Sequence, residues 1–171
     1  MTTNPIDPEG LILFLDIDGV LHPEGVGEDL HFVHLANFEA VLREFPQVHV
    51  VVSSAWRLDM SLDDLRQRFS EDIQARIVDV TPSLPHLEDQ FGQRQRECEL
   101  WLRETYPAKA GIPRWLALDD RESYFDRGCP NLVLLPYVHF GGTGLEGSAI
   151  GLLRQRIWQA LQSDVGFNET P

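Results

Sequence analysis

The sequence predicts an α/β fold: a doubly wound, Rossmann-like parallel sheet in a single domain. Three observations predict it. Short apolar runs end in polar loops, segments of helical period lie between those runs, and a chain of 171 residues suits one core better than two. The first element is the run from Leu11 to Leu15, apolar throughout and so buried on both faces, which emerges into Asp16, Ile17, Asp18 and Gly19. Leu35, Phe38, Leu42 and Phe45 recur at three- and four-residue spacing and stop before Pro46, the pattern of an amphipathic helix with a proline terminator. Val48 to Val52 reads as a second buried strand, ending in Ser53, Ser54, Ala55, Trp56 and Arg57, and completes a βαβ unit. Ser61 with Asp64 three positions on marks a helix start whose buried face is Leu62, Leu65 and Phe69. Ile77 to Val80 predicts a short strand. The stretch from Thr81 to Gly92, with two prolines, predicts the longest loop in the middle of the chain. A helix over 93–105 buries Cys98, Trp101 and Leu102, and two more strands lead from Trp115 into Asp119 and Asp120 and from Leu132 into Pro136. A glycine-rich segment over 139–145 precedes a last helix with Ile150, Leu153, Ile157 and Leu161 on one face, and the end frays from about Ser163. With no internal repeat, low-complexity tract or linker, residues 1–171 read as one domain with its core over about 11–162.

Composition removes several classes. With 43% hydrophobic and 24% charged residues, the chain is neither disordered nor fibrous and can bury a core without disulfides. The 27 Asp and Glu against 14 Lys and Arg give a formal charge of −13. That surface repels a phosphate backbone at long range, which disfavours avid non-specific nucleic-acid binding. Lys109 is the only lysine, so the remaining positive charges are guanidinium forks suited to phosphates and carboxylates. No segment reaches the roughly 18 apolar residues of a membrane span, and the first residues lack the basic-then-apolar order of a signal peptide. Cys98 and Cys129 stand far apart in no metal-like spacing, so a cytoplasmic location is expected and cysteine-held zinc is not. His31 and His34 suit one helix face but lack further ligands nearby, which argues against zinc there too.

In open parallel sheets, ligands bind at the carboxyl ends of the strands. The chain places Asp16 and Asp18, then Ser53 and Ser54, then Asp119 and Asp120 at those ends. Carboxylates from two strands make the oxygen-rich sphere that Mg²⁺ prefers, and like charges packed so closely need a cation or a proton to neutralise them. Read singly, each cluster has a plainer explanation: an acid pair at a turn, a strand-end serine cap, a solvated loop.

Together they carry a resemblance. Leu13-Phe14-Leu15-Asp16-Ile17-Asp18-Gly19-Val20-Leu21 resembles the first motif of the haloacid dehalogenase (HAD) superfamily, Val50 to Ser54 its second, and Leu116 to Asp120 its fourth. More narrowly, Ser54-Ala55-Trp56-Arg57, the helix bearing Arg94 and Arg96, and Thr143-Gly144-Leu145 are similar to the small HAD domains found alone or fused in RNA-repair proteins. The resemblance covers roughly residues 11 to 160. It implies that Asp16 is a nucleophile forming an aspartyl-phosphate and that Asp18 is the general acid and base. It implies Mg²⁺ at Asp16, Asp18 (through its main-chain carbonyl) and an acid of the Asp119–Asp120 pair. A serine would bind a phosphate oxygen, Ser54 in preference to Ser53. The superfamily usually supplies a lysine to hold the phosphoryl oxygens; here Arg94 is the choice, with Arg96 and Lys109 as alternatives. Arg57 is read either as a salt-bridge partner or as a phosphate ligand, Trp56 as packing, and His22 as placed to touch substrate.

The segment between the first motif and the first helix, residues 22 to about 34, is too short for a large cap, so an open site is expected. In the superfamily, capless forms often act on macromolecular phosphates. The expected function is a Mg²⁺-dependent phosphomonoesterase, its substrate a small phosphorylated molecule or a polynucleotide end. A non-catalytic phosphate- or partner-binding domain is the alternative, and a small-metabolite or nucleotide phosphatase a further one. A nuclease or glycosyltransferase does not require the serine motif between the acids, and a receiver domain would want its aspartate on a middle strand and a late lysine.

Overall fold

Five apolar runs form five strands. The computed structural model describes residues 10–85, 91–106 and 111–163. Strands β1 (Leu11–Leu15), β2 (Val48–Val52), β3 (Ile77–Val80), β4 (Arg114–Asp119) and β5 (Leu132–Leu134) pair in parallel in the order β3-β2-β1-β4-β5. Helices α1 (Leu35–Glu44), α2 (Leu62–Arg66), α3 (Glu71–Gln74), α4 (Gln93–Thr105) and α5 (Ser148–Gln162) connect and cover them. This is the doubly wound architecture expected. β1 is central and fully buried, which is why it carries no polar residue before Asp16.

Alternation along the strands divides the core in two. Leu11, Leu13 and Leu15 pack with Phe38, Val41 and Leu42 of α1 and Leu153 and Ile157 of α5, while Ile12 and Phe14 pack with Cys98, Trp101 and Leu102 of α4. Successive side chains on a strand point to opposite faces, so one continuous apolar run serves both layers. Ser61 caps α2 by accepting a hydrogen bond from the Asp64 amide, as its position predicts. That helix is a single short turn, however: Phe69 is buried beyond its end, and a second short helix, α3, follows. His31 and His34 do not share a helix. They lie in the turn before α1, and His34 donates through Nε2 to the Thr143 carbonyl at 2.6 Å, joining that turn to the glycine-rich segment. The loop between β1 and α1 contains a short 3-10 turn (Glu28–Leu30) and an isolated bridge, and no longer element. Among the described residues no helix is long and apolar enough to cross a membrane.

Candidate active site

Strand register builds the site. Leu15 pairs with Val52 on one side and Leu118 on the other, so the next residues, Asp16, Ser53 and Asp119, stand side by side at the carboxyl edge. The Asp16 amide donates to the Leu118 carbonyl and the Ser53 amide to the Leu15 carbonyl, which continues the register one step past the strands. Counting from Ile12 and Phe14, Asp16 falls on the face that α4 covers. The buried face of α4 begins with Arg94 and Glu97 and continues through Cys98, Trp101 and Leu102. The sequence therefore sends one guanidinium into the acid cluster from the helix's first turn.

The carboxylates of Asp16, Asp119 and Asp120 have oxygens within 4.8 Å of one another, and all three residues are buried. Arg94 Nη1 lies 3.2 Å from Asp16 Oδ1 and 3.3 Å from Asp119 Oδ2, and its guanidinium stacks 5.1 Å from the Tyr124 ring centre. Burial opposes the Arg94 charge, but the two carboxylates beside it raise its pKa above the ordinary value. One arginine does not balance three acids. Burial, then the Asp16 charge, drives the Asp119 carboxyl well above the usual carboxylate range, and the same causes together with Glu24 push Asp120 up to about 7. Asp119 Oδ1 accepts from the Arg121 amide at 2.8 Å, whereas Asp120 Oδ2 is buried with no hydrogen-bond partner. Three hard oxygen ligands, an excess of negative charge and one orphaned oxygen fit a divalent cation of the Mg²⁺ type. Gly19 makes the cluster possible: a Cβ there would stand 2.1 Å from Asp120 Oδ2, and its φ of +75° is one that side chains disfavour.

Asp18 is elsewhere. Its carboxylate is not part of that cluster; the metal contact expected of this residue is through its main-chain carbonyl. Instead Oδ1 accepts from His22 Nε2 at 2.9 Å and Oδ2 from Trp56 Nε1 at 3.0 Å. These hydrogen bonds, His22 first, hold the Asp18 carboxyl below its ordinary value, against an opposing effect of burial. His22 is 1% exposed, so it is covered rather than open to substrate as expected. Trp56, read as packing, is also a hydrogen-bond donor to an acid. Among the described residues Asp16 is engaged on one oxygen: the Ile17 amide donates to Oδ1 at 2.9 Å, where Arg94 also lies.

The two serines and two arginines separate by geometry. Ser53 shares the α4 face with Asp16, while Ser54 alternates to the other face, and its hydroxyl accepts from the Trp56 amide as the cap of the 3-10 turn Ala55–Leu58. Arg57 has every donor engaged: Nε on the Thr81 carbonyl, Nη1 on the Ser53 and Ser54 carbonyls, Nη2 on the Pro82 carbonyl and on Glu97 Oε2 at 2.7 Å. A guanidinium has five N–H groups, so none is left for a phosphate, and the phosphate reading of Arg57 gives way to the salt bridge. Glu97, which sequence reasoning missed, completes this clamp; its only signal was its place three residues after Arg94 on the same helix face. Arg96 lies against Gly92, its Nη1 3.3 Å from where a Cβ of that glycine would stand. Lys109 lies outside the described residues. Tyr124 and Glu24, the latter ion-paired with Arg121, were also missed, and no local motif marks them.

No curated protein and no solved structure matches the chain. A family model described as the HAD domain in Swiss Army Knife RNA repair proteins matches residues 12–138. The match takes in β1 from its second residue through β5 and every residue of the acid cluster, well over half of the 171 residues. The chain belongs to this family of HAD domains.

Proposed function

We propose that the protein is a Mg²⁺-dependent phosphomonoesterase working through an aspartyl-phosphate on Asp16. The observation that carries this reading is the buried Asp16–Asp119–Asp120 cluster bridged by Arg94 at the carboxyl edge of β1 and β4. Asp16 Oδ1 is held by the Ile17 amide and faces Arg94, which leaves Oδ2 as the oxygen that attacks phosphorus. Arg94 orients the nucleophile and draws the phosphoryl oxygens, the role for which the superfamily usually has lysine. Ser53, beside Asp16 in register, replaces Ser54 as our choice to hydrogen-bond a phosphate oxygen. Asp18 protonates the leaving oxygen and then takes the proton of the water that hydrolyses the intermediate. Mg²⁺, held by Asp16, Asp119 or Asp120 and the main-chain carbonyl of Asp18, would screen the repulsion between a carboxylate and a phosphate dianion.

For substrate we propose a phosphorylated polynucleotide end. The family's occurrence in RNA repair proteins supports it, as does the half-buried aromatic wall of His31, Phe32 and Trp56 beside Asp18, on which a terminal base can stack. The negative surface limits loose binding but does not oppose recognition of one terminal phosphate. The test is phosphate release with Mg²⁺ or EDTA from p-nitrophenyl phosphate and from 3′- and 5′-phosphorylated oligonucleotides, phosphopeptides, nucleotides and sugar phosphates. Wild type is expected to require Mg²⁺ and to favour an oligonucleotide end, and Asp16→Asn to release none. Equal rates in wild type and Asp16→Asn would overturn the mechanism.

A further inference from the structure

A buried histidine stands behind the proposed general acid. The turn after β1 folds tightly: the Val20 and Leu21 amides both donate to the Ile17 carbonyl, and residues 18 and 22 form an isolated bridge. That turn sets His22 against Asp18. His22 Nδ1 accepts from the Phe32 main-chain amide at 3.2 Å, so the ring proton resides on Nε2 and is donated to Asp18 Oδ1. Phe32 has a φ of +61°, the one positive value outside glycine among the described residues. The conformation that side chains disfavour thus falls on the residue whose amide fixes the tautomer, a form of strain that persists where the surroundings impose it. The His31 ring stacks on His22 at 4.7 Å, and Phe32 and Trp56 close the remaining sides edge-on at 5.8 Å each.

From this geometry we infer that His22 is a positioning residue for proton transfer by Asp18. It rests on the reading of Asp18 as general acid and base. His22 does not relay the proton: giving up the Nε2 hydrogen while Nδ1 accepts from Phe32 would leave an imidazolate. What it does is fix Oδ1, so that with Trp56 on Oδ2 the carboxylate plane is set by two donors from different elements. Asp18 itself is 42% exposed at its side chain, against 1% for His22. The acid faces the leaving group while its support is sealed from water, so water cannot take over the imidazole's hydrogen bond when the ring is removed.

A residue that aims a general acid matters most where the departing oxygen needs a proton. Rates are therefore compared on p-nitrophenyl phosphate, whose leaving group departs readily, and phenyl phosphate, whose leaving group does not. His22→Leu is expected to lower kcat about 30-fold or more on phenyl phosphate and only a few-fold on p-nitrophenyl phosphate, with KM nearly unchanged, since general acid catalysis contributes roughly 10²–10⁴. His22→Gln, whose amide repeats the acceptor and donor pair, is expected to recover most of the loss. Equal proportional losses on both esters, or no loss, would overturn the role of His22. Should His22→Leu fail to fold, His22→Asn, too short to reach Asp18 while still accepting from Phe32, gives the same comparison. Nitrogen NMR of the imidazole reads the tautomer without reference to activity: protonation at Nδ1 instead of Nε2 would also refute the assignment. A wild type inert toward both esters overturns the phosphatase reading itself, whereas an active wild type with proportional losses overturns only the inference about His22.

Discussion

Asp16 and Asp18 are two residues apart and live in opposite electrostatic regimes. Around Asp16, three buried carboxylates have one guanidinium in ion-pair contact among the described residues, and Asp120 Oδ2 has no hydrogen-bond partner among them. Around Asp18, both oxygens have a ring N–H donor, one from a fully covered residue. The first region is short of positive charge, and in the second both carboxylate oxygens are satisfied by ring N–H donors. The difference teaches how one strand end can serve two tasks: the incomplete side is suited to a cation and a phosphoryl group, and the complete side holds an acid still for proton transfer. The tight turn after β1 makes the separation: strand geometry carries Asp16 to the α4 face, and the chain then folds back, with the Val20 and Leu21 amides on the Ile17 carbonyl, so that Asp18 meets His22 and Trp56 instead.

Removing the guanidinium in contact with the cluster should break the comparison hardest. In Arg94→Met, Asp16 and Asp119 lose their cation while remaining buried, a change that typically costs about 3–5 kcal/mol. For a domain of this size each kcal/mol moves the melting midpoint by about 2–4 °C, so a fall of about 6–20 °C in EDTA is expected by calorimetry. Mg²⁺ should then stabilise the variant by more degrees than it does wild type, because the cation meets less opposing charge. A variant melting within about 2 °C of wild type in EDTA would show that the cluster does not depend on Arg94 for its folding.

A smaller change sharpens the same contrast from the other side. Asp120→Asn removes a charge where there is too much, so the metal-free protein should melt a few degrees higher than wild type while losing most of its response to Mg²⁺. The pH dependence has a definite sign. Burial and the Asp16 charge raise folded Asp120 to about 7, above the roughly 3.9 of an unfolded aspartate. Folded protein then binds more protons than unfolded over that interval, and the stability from this group is lost as pH rises through it. In EDTA, the advantage of Asn over Asp should widen from pH 5 to about 7 and level off above. An advantage that is flat with pH would mean that Asp120 is already neutralised by a partner.

Much of this was legible in the chain because it is local. Continuous apolar runs mark buried parallel strands, α4 carries its buried face at helical spacing, and acids just past two strands in one register must meet. The readings that the sequence left open depend on chain segments meeting from a distance. Arg57 and Arg94 are both arginines near proposed site residues; what separates them is that the carbonyls of residues 53, 54, 81 and 82 converge on the first and the carboxylates of β1 and β4 on the second. Ser54 was preferred over Ser53 by motif spacing, whereas pairing places Ser53 beside the nucleophile. The part played by His22 depends on the left-handed backbone of Phe32, a conformation no composition rule assigns to phenylalanine. His31 and His34 have helical spacing, but the helix begins at Leu35 and His34 turns to the Thr143 carbonyl.

The mildest test concerns the donor on the open side of Asp18. Trp56→Phe keeps a ring against His22, His31 and Phe32 and deletes one N–H. A hydrogen bond of this kind contributes about 1 kcal/mol net, or about fivefold in rate if it is made only when Asp18 is in place for transfer. Trp56 is half-buried while His22 is sealed, so water can restore part of what Trp56 supplies but not what His22 supplies. Trp56→Phe should therefore lower kcat on phenyl phosphate by a few-fold at most, leave p-nitrophenyl phosphate hydrolysis nearly unchanged, and leave the Mg²⁺-induced shift in melting temperature as in wild type. If instead it weakens that shift as strongly as Asp120→Asn does, the two carboxylate regions are coupled through β1, and the acid that moves protons is not independent of the acids that hold the cation.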